Sequence, residues 1–227
     1  PCVSLLAGES TRPAPRPPPR EALVVIQRPG EAQSELRIGH GCARRSTPDY
    51  PKLLVLNTIL GGEFVSRLNL NLRESKGYTY GVRTGFNLRR GVGPFVMQTS
   101  VATDVTAPAI HEALAEIRAI ADQPPATADE VAQAFASLSK GYPRGFETAG
   151  QVARSVAQLA LHNLPDTYFE EFVPRLAEVT AADVSAAARQ YLAPLKMSTV
   201  IVGDLDKIHG SLAGLGLGPP QVMAADF

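Results

Sequence analysis

The chain has 227 residues, 44% of them hydrophobic and 19% charged, with Lys plus Arg and Asp plus Glu balanced at 22 each. That length can bury a substantial core, as one large domain or a small pair, and the charge balance argues against nucleic acid or an anionic membrane as a partner. Two cysteines, Cys2 and Cys42, are too few for a disulfide scaffold, and no apolar run approaches the roughly 18 residues that span a bilayer.

The chain starts Pro-Cys-Val-Ser, with neither an initiator Met nor a charged region leading into a long apolar one. It therefore reads as lacking a signal peptide, and as a processed protein or a fragment. Residues 11–20, T-R-P-A-P-R-P-P-P-R, are dense enough in proline to favour an extended linker over a packed element. Ala22 to Gln27 is a short apolar run before Pro29-Gly30, and reads as a buried strand. In Gln33 to Ala43, Leu36, Ile38 and His40 alternate with Arg37, Gly39 and Gly41, which predicts a second strand. Thr47 or Asp49 is placed to cap a following helix.

That helix carries Leu53, Leu54, Val55, Leu56, Ile59 and Leu60, apolar almost all round, and so is expected to be buried. Gly61-Gly62 should end it by accepting left-handed geometry. A second helix is predicted with Phe64, Leu68 and Leu72 on one face, ending at Gly77. Tyr78, Tyr80 and Val82 then alternate with Thr79, Gly81 and Arg83 as a strand through Phe86, pairing as a hairpin with Phe95 to Ala102 across the Gly91–Pro94 turn.

A helix is expected from near Asp104 to Pro108, where Asp and Thr can cap and proline fits the first turn, with Ile110, Ala113, Leu114 and Ile117 inward and Gln123-Pro124-Pro125 ending it. Thr127 and Glu130 make a capping box, and Gly141-Tyr142-Pro143 interrupts the helix they start. Val152, Val156, Leu159 and Ala160 form the face of the next helix. Asp166 opens another with Phe169, Phe172, Val173 and Leu176 inward, and Thr180 to Asp183 cap a last one through Leu192. Met197 to Val202 returns as a strand, and the Gly/Pro-rich tail from Gly214 reads as irregular. About five strands and six helices in this order predict an α+β fold, with helices laid on one face of a mainly antiparallel sheet.

The chemistry concentrates in one place. Arg73, on the last turns of a helix, and Tyr80, just past a glycine turn, can together present a guanidinium and a phenol to a peptide carbonyl or to the oxyanion formed on attack. Taken singly, Arg73 and Lys76 would complement the helix dipole, and Tyr80 would be a core strand tyrosine.

The string carrying the pair resembles peptidase family M16, the pitrilysin and mitochondrial-processing-peptidase group of zinc metallopeptidases. Its second module has a pattern like L-G-G-x-F-x-S-R-L-x-x-x-L-R-E-x-x-G-x-x-Y. Here Leu60-Gly61-Gly62, Phe64, Ser66-Arg67-Leu68, Leu72-Arg73-Glu74, Gly77 and Tyr80 match it. The resemblance runs from about Glu21 onward. It implies a domain over residues 21–214, a proline-rich segment over 1–20 and an irregular tail over 215–227. It also implies that Arg73 and Tyr80 reach toward a zinc-bearing module, upstream in the same chain or on a separate subunit, and contact an unfolded peptide substrate there. The helix through Leu53–Leu60 corresponds to the zinc-bearing helix of that partner module, but carries neither acid nor histidine.

The remaining catalytic patterns fail in this chain. The four histidines stand at 40, 111, 162 and 209, too dispersed for a zinc site. His111-Glu112 begins an HExxH string, but position 115 is Ala. No G-x-S-x-G elbow or P-loop is present, and Gly91-Val92-Gly93 is a turn. The sequence thus predicts no metal in this chain, zinc on a partner, and no peptide hydrolysis by the chain alone. A non-catalytic scaffold or peptide-binding subunit is the alternative, and a free-standing peptide-binding homodimer a third. The alanine- and arginine-rich composition suits a bacterium with a GC-rich genome, in the cytoplasm or periplasm.

Overall fold

A computed structural model describes residues 22–192 and 197–224. The proline-rich segment, Cys2 and the last residues of the tail lie outside the described residues. Strands β1 (Leu23–Gln27), β2 (Gln33–Ala43), β3 (Val82–Phe86), β4 (Gly93–Ala102), β5 (Ser198–Gly203) and β6 (Gln221–Ala224) form one sheet in the order β3-β4-β2-β5-β1-β6. The β3-β4-β2-β5 stretch is antiparallel, whereas β5-β1 and β1-β6 pair in parallel. The sheet is therefore mixed, and the fold is α+β as expected.

Alternation decides the layers. Leu36 and Ile38 of β2, Phe95, Met97 and Val101 of β4, and Ile201 of β5 are buried on one face. That face packs under helices α1 (Tyr50–Asn57), α2 (Thr106–Ala119), α6 (Ala181–Tyr191) and α7 (Leu205–Leu212), whose own buried residues join the same core. The opposite face carries Glu35, Arg37, Arg83 and Gln98, all exposed. Helices α3 (Ala128–Gly141), α4 (Ala149–His162) and α5 (Tyr168–Ala177) complete the set. No helix among the described residues is long and apolar enough to cross a membrane.

Several expectations need correction. Neither Thr47 nor Asp49 caps α1 through its side chain. Both are spent on Tyr191, whose hydroxyl lies 3.0 Å from Thr47 Oγ1 and donates to Asp49 at 2.8 Å. The start of α2 likewise lacks a side-chain cap, because Thr106 donates to Ser34 Oγ at 2.7 Å and to the Thr103 carbonyl at 2.8 Å. The tail after Gly214 is not wholly irregular, since β6 extends the sheet beside β1. Helix α7 follows β5 where no helix was expected. The face of α4 named by its periodicity is not buried: Val152 is 41% and Val156 55% exposed.

Candidate functional site

The helix expected to stop at Gly61-Gly62 instead widens. Residues Thr58–Gly62 and Asn69–Ser75 are both π-helical, a rare geometry that recurs at functional sites. Neither Gly61 nor Gly62 has a positive φ, so left-handed geometry is not why glycine stands there. A Cβ on Gly61 would lie 2.7 Å from Thr84 Cγ2, and one on Gly62 would lie 2.6 Å from Asn57 Nδ2. Gly61 lets the helical backbone lie against β3, and Gly62 lets it close on Asn57 of α1. Gly77, at φ 65°, does close the second helix as expected.

Asn69 joins the helical turn to the strand, and the sequence reading passed it over. It is buried. Its Oδ1 accepts from the Val82 N–H at 2.8 Å, and its Nδ2 donates to the Val82 carbonyl, the Glu63 carbonyl and Ser66 Oγ, each at 3.0 Å. An amide side chain thus takes the place of a neighbouring strand at the exposed edge of β3. The available signal was an Asn at a helical position among leucines, where a buried polar group needs a full set of partners.

That clamp fixes both expected site residues, because Arg73 follows Asn69 by about one helical turn and Tyr80 lies just before Val82. Tyr80 is not in the strand, which begins at Val82. The reason is a competing network: Thr79 Oγ1 accepts from the Gly81 N–H at 3.1 Å and lies 2.8 Å from Thr99 Oγ1, which donates to the Gly81 carbonyl at 2.9 Å. The backbone beside Tyr80 is pinned while its side chain is 94% exposed.

Phe64 also departs from expectation. It lies outside the buried face and is 64% exposed, with the Arg73 guanidinium 3.9 Å above its ring centroid. Such stacking contributes about 0.5–1 kcal/mol at an exposed site. Arg73 Nη1 has no hydrogen-bond partner among the described residues. Glu74 Oε1 stands 3.4 Å away, within ion-pairing distance but poorly aligned for a hydrogen bond. Phe64 and Tyr80 line the same open groove of about 570 Å³, with Gly61, Arg37, Arg83 and Gln98. Arg73 thus stacks on a ring that shares its groove with Tyr80.

Three further residues hold this unit onto α2 and α3. Arg67 makes a bidentate pair with Glu130, Nε to Oε1 at 2.7 Å and Nη2 to Oε2 at 2.8 Å, and donates to the Pro124 and Pro125 carbonyls. Burial pushes the Glu130 carboxyl up, but the Arg67 and Thr127 hydrogen bonds outweigh it and hold it below its usual range. Asn71 donates to Glu112 and Glu116 of α2, and Lys76 pairs with Glu112 at 3.5 Å. The Asn71 bond first, then Lys76, lowers the Glu112 carboxyl against the opposing effect of burial. Lys76 thus serves a tertiary ion pair, and His111 is an exposed residue of α2.

Among the described residues no three His, Cys, Asp or Glu side chains gather to hold a metal ion. His40 packs against Phe95, and burial above all lowers its pKa. Burial pushes the Cys42 thiol up to about 12, far from the range of a reactive thiolate. The described residues offer no set of ligands that fits zinc.

Residues 4–138 match the sequence profile of the peptidase M16 inactive domain. That covers more than half of the chain, and the chain belongs to this family. It is 28% identical over 164 residues to an uncharacterized zinc protease of Streptomyces coelicolor, a match covering 70% of this chain and 35% of that protein. A peptidase M16 inactive domain from Pseudomonas fluorescens superposes with a TM-score of 0.76 at 27% identity, over 83% of this chain and 44% of that one. The periplasmic protease PqqL of Escherichia coli has the same fold, with a TM-score of 0.68 at 13% identity over 82% of this chain and 21% of that chain. The chain thus spans less than half the length of each of these proteins.

Proposed function

We propose that this chain is the metal-free half of an M16-type peptidase, in which Arg73 and Tyr80 bind the peptide substrate and stabilise the tetrahedral intermediate. The zinc would belong to a second M16 module, in the same polypeptide or on another subunit. The observation that carries this reading is the pinned backbone around a fully presented Tyr80, on the groove that also holds the Phe64 ring under Arg73. The phenol O–H and guanidinium N–H groups are hydrogen-bond donors held by buried structure, so little reorganisation is needed to meet a developing oxyanion. The groove beside them can take an extended peptide, whose main chain these donors would orient.

A second reading has its own support. Arg73 is already engaged with Phe64 and Glu74, as a residue in a non-catalytic scaffold or peptide-binding subunit would be. The deciding experiment is turnover of a quenched unfolded peptide by the chain alone and mixed with its zinc-bearing module. Turnover is expected only in the mixture, falling roughly 10²-fold in Tyr80→Phe and in Arg73→Ala, as loss of an oxyanion donor does. Turnover indifferent to both variants would establish the scaffold reading instead.

A further inference from the structure

The groove beside Tyr80 contains a cation with no counter-charge among the described residues. Its ionised side chains are Glu35, Arg37, Glu63 and Arg83. Arg37 is matched by Glu35, 3.3 Å from its Nη1, and also donates to the Leu36 carbonyl. Glu35 in addition accepts from Ser100 Oγ, while Glu63 accepts from Ser137 of α3 at 2.8 Å. Arg83 has neither ion pair nor hydrogen bond among the described residues and is exposed. Directly across from it in the register stands Gln98, with Arg37 next in the row. The Gln98 amide is unspent as well.

Arg83 and Gln98 therefore stand about 5 Å apart on the open face of the sheet, a guanidinium fork beside a neutral amide. Together they match a carboxylate, which the fork can hold through two parallel N–H···O bonds while the amide donates a third. Tyr80 and Arg83 line the same groove and, three residues apart in the chain, have Cα atoms no more than about 10 Å apart. A peptide following the groove would thus bring a side chain to Arg83 within about three positions of the peptide bond that meets Tyr80.

We propose that Arg83, supported by Gln98, forms a side-chain subsite selecting an Asp or Glu of the bound peptide. This rests on the groove being the peptide site, and adds a side-chain preference to main-chain recognition by Arg73 and Tyr80. Arg83 is a specificity residue here, with no part in bond cleavage.

The test is binding of the full chain, followed by fluorescence anisotropy, to labelled unstructured peptides that differ only in a central Glu-Asp, Gln-Asn or Lys-Lys pair. The acidic peptide is expected to bind about fivefold more tightly than the neutral one at low salt, with the margin shrinking as salt rises. Arg83→Gln should abolish the margin, and Arg83→Glu should turn it toward the basic peptide. Arg90→Gln, on the hairpin turn outside the groove, should leave the margin intact. Equal binding of the acidic and neutral peptides, no binding of either, or a margin that survives Arg83→Gln would overturn the subsite. Turnover with the zinc module separates the two proposals. A lost margin with turnover still dependent on Tyr80 sinks the subsite alone, and an intact margin with turnover indifferent to Tyr80→Phe and Arg73→Ala sinks the catalytic role alone.

Discussion

Residues 57–86 and the arm formed by α3, α4 and α5 differ in what holds them. In the first, Leu60, Leu68 and Leu72 are fully buried, and the helical turns are tied to β3 by hydrogen bonds through Asn69, Asn57 and Thr84. In the second, α4 buries no residue at all, although both of its ends are well formed: Thr148 and Gln151 make a capping box and Asn163 closes it in left-handed geometry. Local signals make a helix in either region, but only cross-element bonds and core contacts fix where its side chains stand. The candidate site sits on a stretch that has both throughout, whereas the arm includes α4, which buries nothing.

That contrast can be broken most directly at Asn69. Asn69→Ala removes the bonds to both polar groups of Val82 and leaves buried groups unpaired, so unfolding in urea should show a loss of about 3 kcal/mol. Amide exchange should rise at Val82 before it rises in β2, because the β3 edge has lost its substitute neighbour.

A smaller effect is expected where the two regions meet. The Glu130 carboxyl is held below its usual value, so its contribution to stability is present above the unfolded pKa, about 4.3, and is lost as the pH falls through the lower folded value. Arg67→Ala should cost about 2 kcal/mol near neutral pH and flatten the acid limb of the stability curve, since burial alone would raise the Glu130 pKa. Chemical denaturation from pH 7 to pH 3 reads both, and an unchanged acid limb would show that Arg67 does not set the carboxyl.

The smallest change belongs to α4. Val156→Ser, at an exposed site, should shift unfolding by no more than about 0.5 kcal/mol in the isolated chain. The same substitution at Leu68 should cost several kcal/mol through cavity formation and an unsatisfied hydroxyl. Comparable losses at both positions would erase the distinction between the regions.

The capping boxes of α3 and α6, Thr127 with Glu130 and Thr180 with Asp183, were legible because every partner lies within one turn of chain. The same signal was present in Thr148–Gln151 and could have been read. Strand β2 was legible to the residue because its alternation matches a sheet with one buried face. The misplaced residues all depend on distant partners. Thr47 and Asp49 are claimed by Tyr191, Tyr80 is held out of β3 by Thr99, and Phe64 is stacked by Arg73. The short β6 exists through its pairing with β1, far away in sequence.

By itself, then, the sequence determined the α+β class, most helix starts, the family and the two residues proposed to meet substrate, because propensity, capping and motif spacing are local properties of the chain. Tertiary structure alone decided that Asn69 stands in for a strand, that Tyr80 is presented from a pinned loop, and that, among the described residues, Arg83 has no counter-charge and the apolar face of α4 no cover. Each of these depends on which distant group reaches a hydrogen bond, a charge or an apolar surface first, and no local pattern records that competition.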